Sequence, residues 1–171
     1  MKVPFQRATA DEELAKISLF MLKHKSDFNP AFTTLDMLEQ LYTNMTQGYL
    51  HYAMTEEGRV VVAGAYYHGT PEKQFADRHV VFIDYVILDP AYRGTTLFLQ
   101  SLQHIVGWVR EAHPEATELR LKAMSDNLRV CRLYGKFVQP SYKEDTPYGE
   151  MTVFCENINQ IVAILKKFDR L

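Results

Sequence analysis

Arg93, Gly94, Thr95 and Thr96 stand where a run of β-branched and aromatic residues, Val80 to Leu88, gives way through Asp89-Pro90 to a helical pattern that begins at Thr95. A strand that empties through a glycine-containing turn into a helix aims several backbone N–H groups at one spot, and the helix dipole adds positive potential there. The chemistry on offer is anion binding: main-chain donors and a guanidinium fork converge on phosphate. These four residues are expected to hold the diphosphate of a phosphorylated cofactor; the bland alternative is a surface turn with a solvated arginine.

Other reactive side chains carry less pattern. Asp84 lies inside the strand, where an unpaired carboxylate is costly and burial raises its pKa; that suits a general base or a binder of an ammonium group. An Asp paired with a nearby cation, or exposed at an edge, is the structural alternative. The six histidines (His24, His51, His68, His79, His104 and His113) form no metal-ligand spacing and read as surface residues, with His68 and His79 flanking a polar loop. No metal is expected. Ser-His-Asp, Cys-His and Walker patterns are absent from the sequence. Tyr42, Tyr49, Tyr52, Tyr66 and Tyr67 hint at a pocket for a cationic acceptor, although tyrosines are also good strand formers.

The elements that must position these residues follow from periodicity. Val3 to Ala8 reads as a short strand. Thr9 with Glu12 reads as a capping box that opens a helix carrying Leu14, Ile17 and Met21. Asn29-Pro30 breaks the pattern, and Thr33 caps a second helix through Met37, Leu38, Leu41 and Met45. Tyr49 to Thr55 and Arg59 to His68 form a hairpin around Glu56-Glu57-Gly58. Gly69 to Arg78 is a loop, and Val80 to Leu88 a strand buried on both faces. The helix from Thr95 to Ala112 turns Phe98, Leu102, Ile105 and Val109 toward the sheet. Glu118 to Ala123 alternates as a strand with one wet face. Ser125 or Asp126 caps a helix through Leu128, Cys131, Leu133 and Tyr134. Val138 to Lys143 and Glu150 to Cys155 pair, and Asn157 with Gln160 opens a last helix through Phe168 whose apolar face suits a core or a homodimer. Interleaved strands and helices on a mixed sheet make an α/β (α+β) fold.

The stretch Val80 to Phe137 resembles the GNAT superfamily of acetyl-CoA-dependent N-acetyltransferases. The resemblance rests on Leu88-Asp89-Pro90, on the loop Tyr92-Arg93-Gly94-Thr95-Thr96-Leu97-Phe98 set against Arg/Gln-x-x-Gly-x-Gly/Ala, and on Asn127, Leu133-Tyr134 and Phe137 after the strand Leu119 to Ala123. It implies a mostly antiparallel central sheet flanked by helices, with acetyl-CoA as co-substrate. Val86, Ile87 and Leu88 would offer backbone groups to the pantetheine arm, and Asn127 would bond that arm or cap its helix. Tyr134 would protonate the departing thiolate, and a small-molecule or peptide amine would accept the acetyl group. Two positions depart from the motif: Thr96 stands at the first glycine and Phe98 at the final Gly/Ala. Thr96 can supply a hydroxyl, whereas Phe98 has to turn its ring into the core stripe, away from the diphosphate. The departures keep a second reading open, a weak or inactive CoA-binding module or an interaction protein.

The totals set the frame. At 171 residues, 47% hydrophobic and 23% charged, the chain has the makings of one globular domain, 1–171. Such a chain buries roughly 70% of its unfolded surface without a disulfide or metal staple. A net charge of −2 argues against nucleic-acid and membrane-surface partners. Two widely separated cysteines, Cys131 and Cys155, suit a reducing compartment, and the first residues carry no hydrophobic signal core, so a cytoplasmic protein is expected.

Overall fold

The computed structural model describes residues 3–168. Seven strands hydrogen-bond in the order β1-β2-β3-β4-β5-β7-β6: β1 (Phe5–Arg7), β2 (Tyr49–Met54), β3 (Val60–His68), β4 (Val80–Leu88), β5 (Glu118–Met124), β6 (Gln139–Thr146) and β7 (Gly149–Asn157). Helices α1 (Asp11–Lys23), α2 (Lys25–Phe28), α3 (Thr34–Gln47), α4 (Leu97–Ala112), α5 (Leu128–Tyr134) and α6 (Ile158–Leu165) complete the mixed α/β architecture. The sheet is mostly antiparallel; β4 and β5 pair in parallel.

The chain divides into two compact units, with β4 and α4 contributing to both. The first takes the chain up to Tyr67 together with Tyr85–His104. Its β1, β2 and β3 pair antiparallel, and the β2–β3 register shifts between Ala53 and Met54. Ile17, Phe20 and Met21 of α1 and Met37 and Leu41 of α3 are buried against Leu50, Tyr52, Ala63, Ala65 and Tyr85. Each such large side chain taken fully out of water contributes about 1.5–3 kcal/mol. Thr33 caps α3: its Oγ1 accepts from Asp36 N at 3.2 Å, and Asp36 Oδ2 accepts from Thr33 N at 2.6 Å. The start of α1 differs from the expected Thr9–Glu12 box. Ala10 is the N-cap, and Glu13 Oε2 reaches back to both Thr9 N and Ala10 N at 2.9 Å. The back-bonding carboxylate thus stands one residue further along than expected, and the cap itself offers no side-chain acceptor.

The second unit takes His68–Asp84 and the chain from Ile105 onward. Here β4 pairs with β5 only from Val80↔Glu118 to Ile83↔Leu121, while β5 pairs with β7 along its whole length. The alternation on β5 is as expected, with Leu119, Leu121 and Ala123 buried, and its other face is only partly exposed. Arg120 Nη2 holds Glu118 at 2.6 Å. Lys122, its side chain only 11% exposed, pairs with Glu72 and with Glu144 (2.7 Å) and lies over the Phe82 ring. An interior strand with charged residues on one face stays soluble in the fold by pairing them. Helix α5 is capped by Asn127, whose Oδ1 accepts from Val130 N at 3.2 Å, rather than by Ser125 or Asp126. Ile158, Ile161 and Leu165 bury the apolar face of α6 within the chain.

Candidate functional site

The turn after β4 is closed by a small set of local bonds. Asp89 Oδ1 accepts from Ala91 N at 2.9 Å and starts a single 3-10 turn, Pro90–Tyr92. Thr95 Oγ1 donates to Tyr92 O at 2.6 Å and accepts from Leu97 N at 3.3 Å. Gly94 has φ +80°; a Cβ there would meet nothing, so glycine is required by the left-handed backbone and not by crowding. Tyr92, Arg93, Leu97 and Gln100 supply the amides that close the turn, which leaves those of the exposed Gly94, Thr95 and Thr96 for an outside acceptor. They sit at the N-terminal end of α4, a sixteen-residue helix.

The two motif departures resolve differently. Phe98 is buried, so its ring does leave the turn for the core. Thr96 stays exposed, and its Oγ1 accepts from Gln100 Nε2 at 3.0 Å. A hydroxyl that accepts one bond still has its own proton to give. Arg93 is in the same turn, but its guanidinium is already engaged: Nη2 lies 2.6 Å from Asp27 Oδ2. Val86, Ile87 and Leu88, which lead into the turn, are only half-buried, and none of them enters the β4–β5 ladder.

Asp84 and Tyr134 belong together in the second unit. Asp84 is half-buried on β4, and Tyr134 is buried at the end of α5, edge-on to Phe154 at 5.7 Å between centroids. Burial pushes the Tyr134 phenol above its ordinary value, and the negative charge available on Cys131 and Asp84 pushes it further. The phenol therefore keeps its proton across the whole neutral range. Asn127 opens the same helix and acts as its cap. Cys131 and Cys155 are free thiols, half-buried and with pKa values raised chiefly by burial.

Several expectations about ring side chains need correction. His24, His51, His68 and His113 are buried, not superficial. His68, His113 and Glu115 come together with their ligand atoms within 4.8 Å, a grouping that their separation in sequence does not announce. Arg78 Nη1 faces His68 Nδ1 at 3.1 Å, and a guanidinium only donates, so the ring proton sits on Nε2. That nitrogen faces Arg78 O at 2.8 Å and Glu115 Oε1 at 3.0 Å. Held by Arg78 Nη1 at one nitrogen and by Arg78 O and Glu115 at the other, His68 is a clamp on the Gly69–Arg78 loop. The loop is tight in its own right, with Gln74 and Phe75 at φ 52° and 60° and Asp77 bonded to Thr70 through both carboxylate oxygens. The five tyrosines differ in exposure. Tyr52, Tyr66 and Tyr67 are core residues: Tyr52 bonds Gln6 and Glu13, and Tyr67 OH accepts from Asn44 Nδ2 at 2.6 Å. Tyr42 and Tyr49 are exposed.

The comparisons bear on the family and the fold. A family model described as the acetyltransferase (GNAT) family matches residues 18–138. The fold is shared with aminoglycoside acetyltransferase AAC(6')-Ib, solved with coenzyme A and kanamycin, at TM-score 0.72 and 20% identity over 95% of this chain and 98% of that one. It is shared as well with a GNAT-family acetyltransferase from Desulfovibrio desulfuricans, at TM-score 0.70 and 12% identity over 92% and 99%. Arabidopsis thaliana NAA60 with acetyl-CoA gives TM-score 0.70 and 11% identity over 92% and 99%. No curated protein matches the sequence. With its family match reaching from α1 to just past α5, and with the sheet order and the turn into α4 described above, the chain belongs to the GNAT family of acetyltransferases.

Proposed function

We propose that the whole chain, 1–171, works as one acetyl-CoA-dependent N-acetyltransferase domain that moves an acetyl group to a primary amine. The observation that carries this reading is the turn before α4: three exposed amides, Gly94 to Thr96, stay outside the bonds that close it, and the bulky Phe98 is turned into the core. This donor set suits a diphosphate, with Arg93 as the charged anchor. The half-buried Val86 to Leu88 segment is the matching candidate for main-chain bonds to the pantetheine arm and for an amide at the thioester oxygen.

In the reaction the neutral amine forms an N–C bond to the thioester carbonyl as the C–S bond breaks. Tyr134, kept protonated by burial, gives its proton to the leaving sulfur, and the proton that the nitrogen sheds on becoming an amide restores the phenol. Asp84 takes the acceptor's ammonium proton or holds the ammonium before it is lost. Asn127 shapes the start of α5 and so fixes where Tyr134 points. Positioning of two substrates supplies most of the rate, with no covalent enzyme intermediate. The acceptor is a small molecule or peptide bearing a primary amine. Free thiols at Cys131 and Cys155 support a reducing, cytoplasmic setting. Among the described residues no helix is long and apolar enough to cross a membrane.

Calorimetric titration with acetyl-CoA and CoA, followed by thiol release against a panel of amines, tests the assignment. Saturable heat and amine-dependent release are expected. A flat titration overturns the cofactor reading, and binding without release under any amine overturns the enzymatic one in favour of a CoA-binding module.

A further inference from the structure

We propose that Asp27 is an internal competitor for the cofactor's phosphates, and that its hold on Arg93 sets the affinity of the acetyl-CoA site. This rests on the acetyl-CoA reading of the turn before α4. Asp27 belongs to α2, a single helical turn between α1 and α3 that local periodicity does not announce. Its Oδ2 sits 2.6 Å from Nη2 of Arg93, the one cationic side chain in the turn, and both side chains are about one-third exposed. To a guanidinium, a carboxylate oxygen and a phosphate oxygen are the same kind of partner, an anionic acceptor taken in line with an N–H. The fork that would receive a diphosphate is therefore partly spent on an anion of the protein's own.

Two observations separate this from a loose surface pair. The residue after Asp27, Phe28, packs edge-on to Tyr85 of β4 at 4.8 Å between centroids, so the carboxylate is carried by a fastened segment. The same Oδ2 also lies 3.4 Å from Nδ1 of His24, a buried histidine whose Nε2 has no hydrogen-bond partner. The carboxylate thus has a second basic group beside it when Arg93 turns to a ligand. The amides of Gly94 to Thr96 are not involved in the pair, so a diphosphate can land on the backbone first and then contest the guanidinium. Removing the carboxylate's charge removes the contest.

The test is a double-mutant cycle read by calorimetric titration with CoA: the wild-type protein, Asp27→Asn, Arg93→Gln and the double variant, each checked for folding by circular dichroism. Asp27→Ser replaces Asp27→Asn if the latter does not fold. Asp27→Asn is expected to bind CoA about 5-fold more tightly, the scale of one partly exposed ion pair. No gain is expected on the Arg93→Gln background, which separates the specific pair from a general loss of negative charge. Binding by Asp27→Asn that equals or falls below wild type overturns the inference and leaves the acetyl-CoA reading intact. An equal gain on the Arg93→Gln background overturns it too. Absence of CoA binding in all four proteins brings down the reading of the turn itself, and the inference with it.

Discussion

The ring of His51 holds Ser101 Oγ at 2.8 Å from its Nε2, and both side chains are wholly out of water. His51 is on β2 and Ser101 on α4, so the bond ties sheet to helix within the first unit. Neither residue is reachable by a substrate, so the pair is structural. Burial, with His104 adding to it, drops the His51 pKa from 6.5 to about 3. A depressed histidine pKa means that the fold favours the neutral ring. Its contribution is complete above the unfolded value of 6.5 and drains away as pH falls from there toward 3, because only the unfolded chain takes up the proton. Denaturant midpoints measured from pH 7.5 down to pH 4 should fall by an amount worth a few kcal/mol. His51→Gln, which cannot titrate, should show a visibly shallower fall; an unchanged pH dependence would remove His51 as the cause.

Gly64 faces the same ring. A Cβ at Gly64 would lie 2.2 Å from His51 Cε1, 2.5 Å from its Nε2 and 3.0 Å from the carbonyl oxygen of Tyr85. The register pairs His51 with Gly64 directly, so this is cross-strand crowding in a packed sheet. Gly64→Ala should destabilise by about 1–3 kcal/mol in denaturant titrations. Combining it with His51→Ala should recover part of the loss, since the ring is the nearest obstacle while the Tyr85 carbonyl remains.

What the sequence makes legible here is local. The continuous apolar run of β4, the helical stripe of Phe98, Leu102, Ile105 and Val109, and the Thr33 cap each leave a short-range signature, and each element stands where that signature puts it. Helix ends are less sharp: Ala10 and Glu13 stand where Thr9 and Glu12 were expected, and Asn127 caps in place of Ser125 or Asp126, because neighbouring polar side chains compete for the same orphan amides. Pairs made through space are not legible at all. Nothing in the spacing of Asp27 and Arg93, of His51 and Ser101, or of His68, His113 and Glu115 marks them as neighbours, since the chain folds back between them. A single turn such as α2 is too short to show a period.

For Tyr134, a phenol whose pKa is raised by burial and by nearby anionic groups should stay protonated well past neutrality. Tyr134→Phe keeps the ring against Phe154 and removes only the hydroxyl. Turnover should fall by ~10²-fold while the CoA dissociation constant, measured by calorimetry, changes little. The pH–rate profile of the unaltered protein should show no loss on the alkaline side, up to about pH 10, attributable to this group. Equal turnover in the variant would take Tyr134 out of the chemistry.

Restoring the family residues at the two unusual positions of the turn should give opposite results. Phe98 is buried in the core face of α4, so Phe98→Ala opens a cavity and should cost about 3–5 kcal/mol of stability whatever it does to the cofactor. Thr96 is exposed and its side chain takes part in one bond, accepted from Gln100 Nε2, while its backbone bond to Gln100 N survives substitution, so Thr96→Gly should leave the denaturation midpoint nearly unchanged. A glycine there lets the diphosphate approach the main chain without a side chain in the way, and loses one hydroxyl donor in exchange. Backbone amides are the larger part of the donor set in this turn, so closer approach should win and CoA should bind a few-fold more tightly to Thr96→Gly. Calorimetry on the two variants decides it: weaker binding by Thr96→Gly would show that the hydroxyl is itself a phosphate ligand.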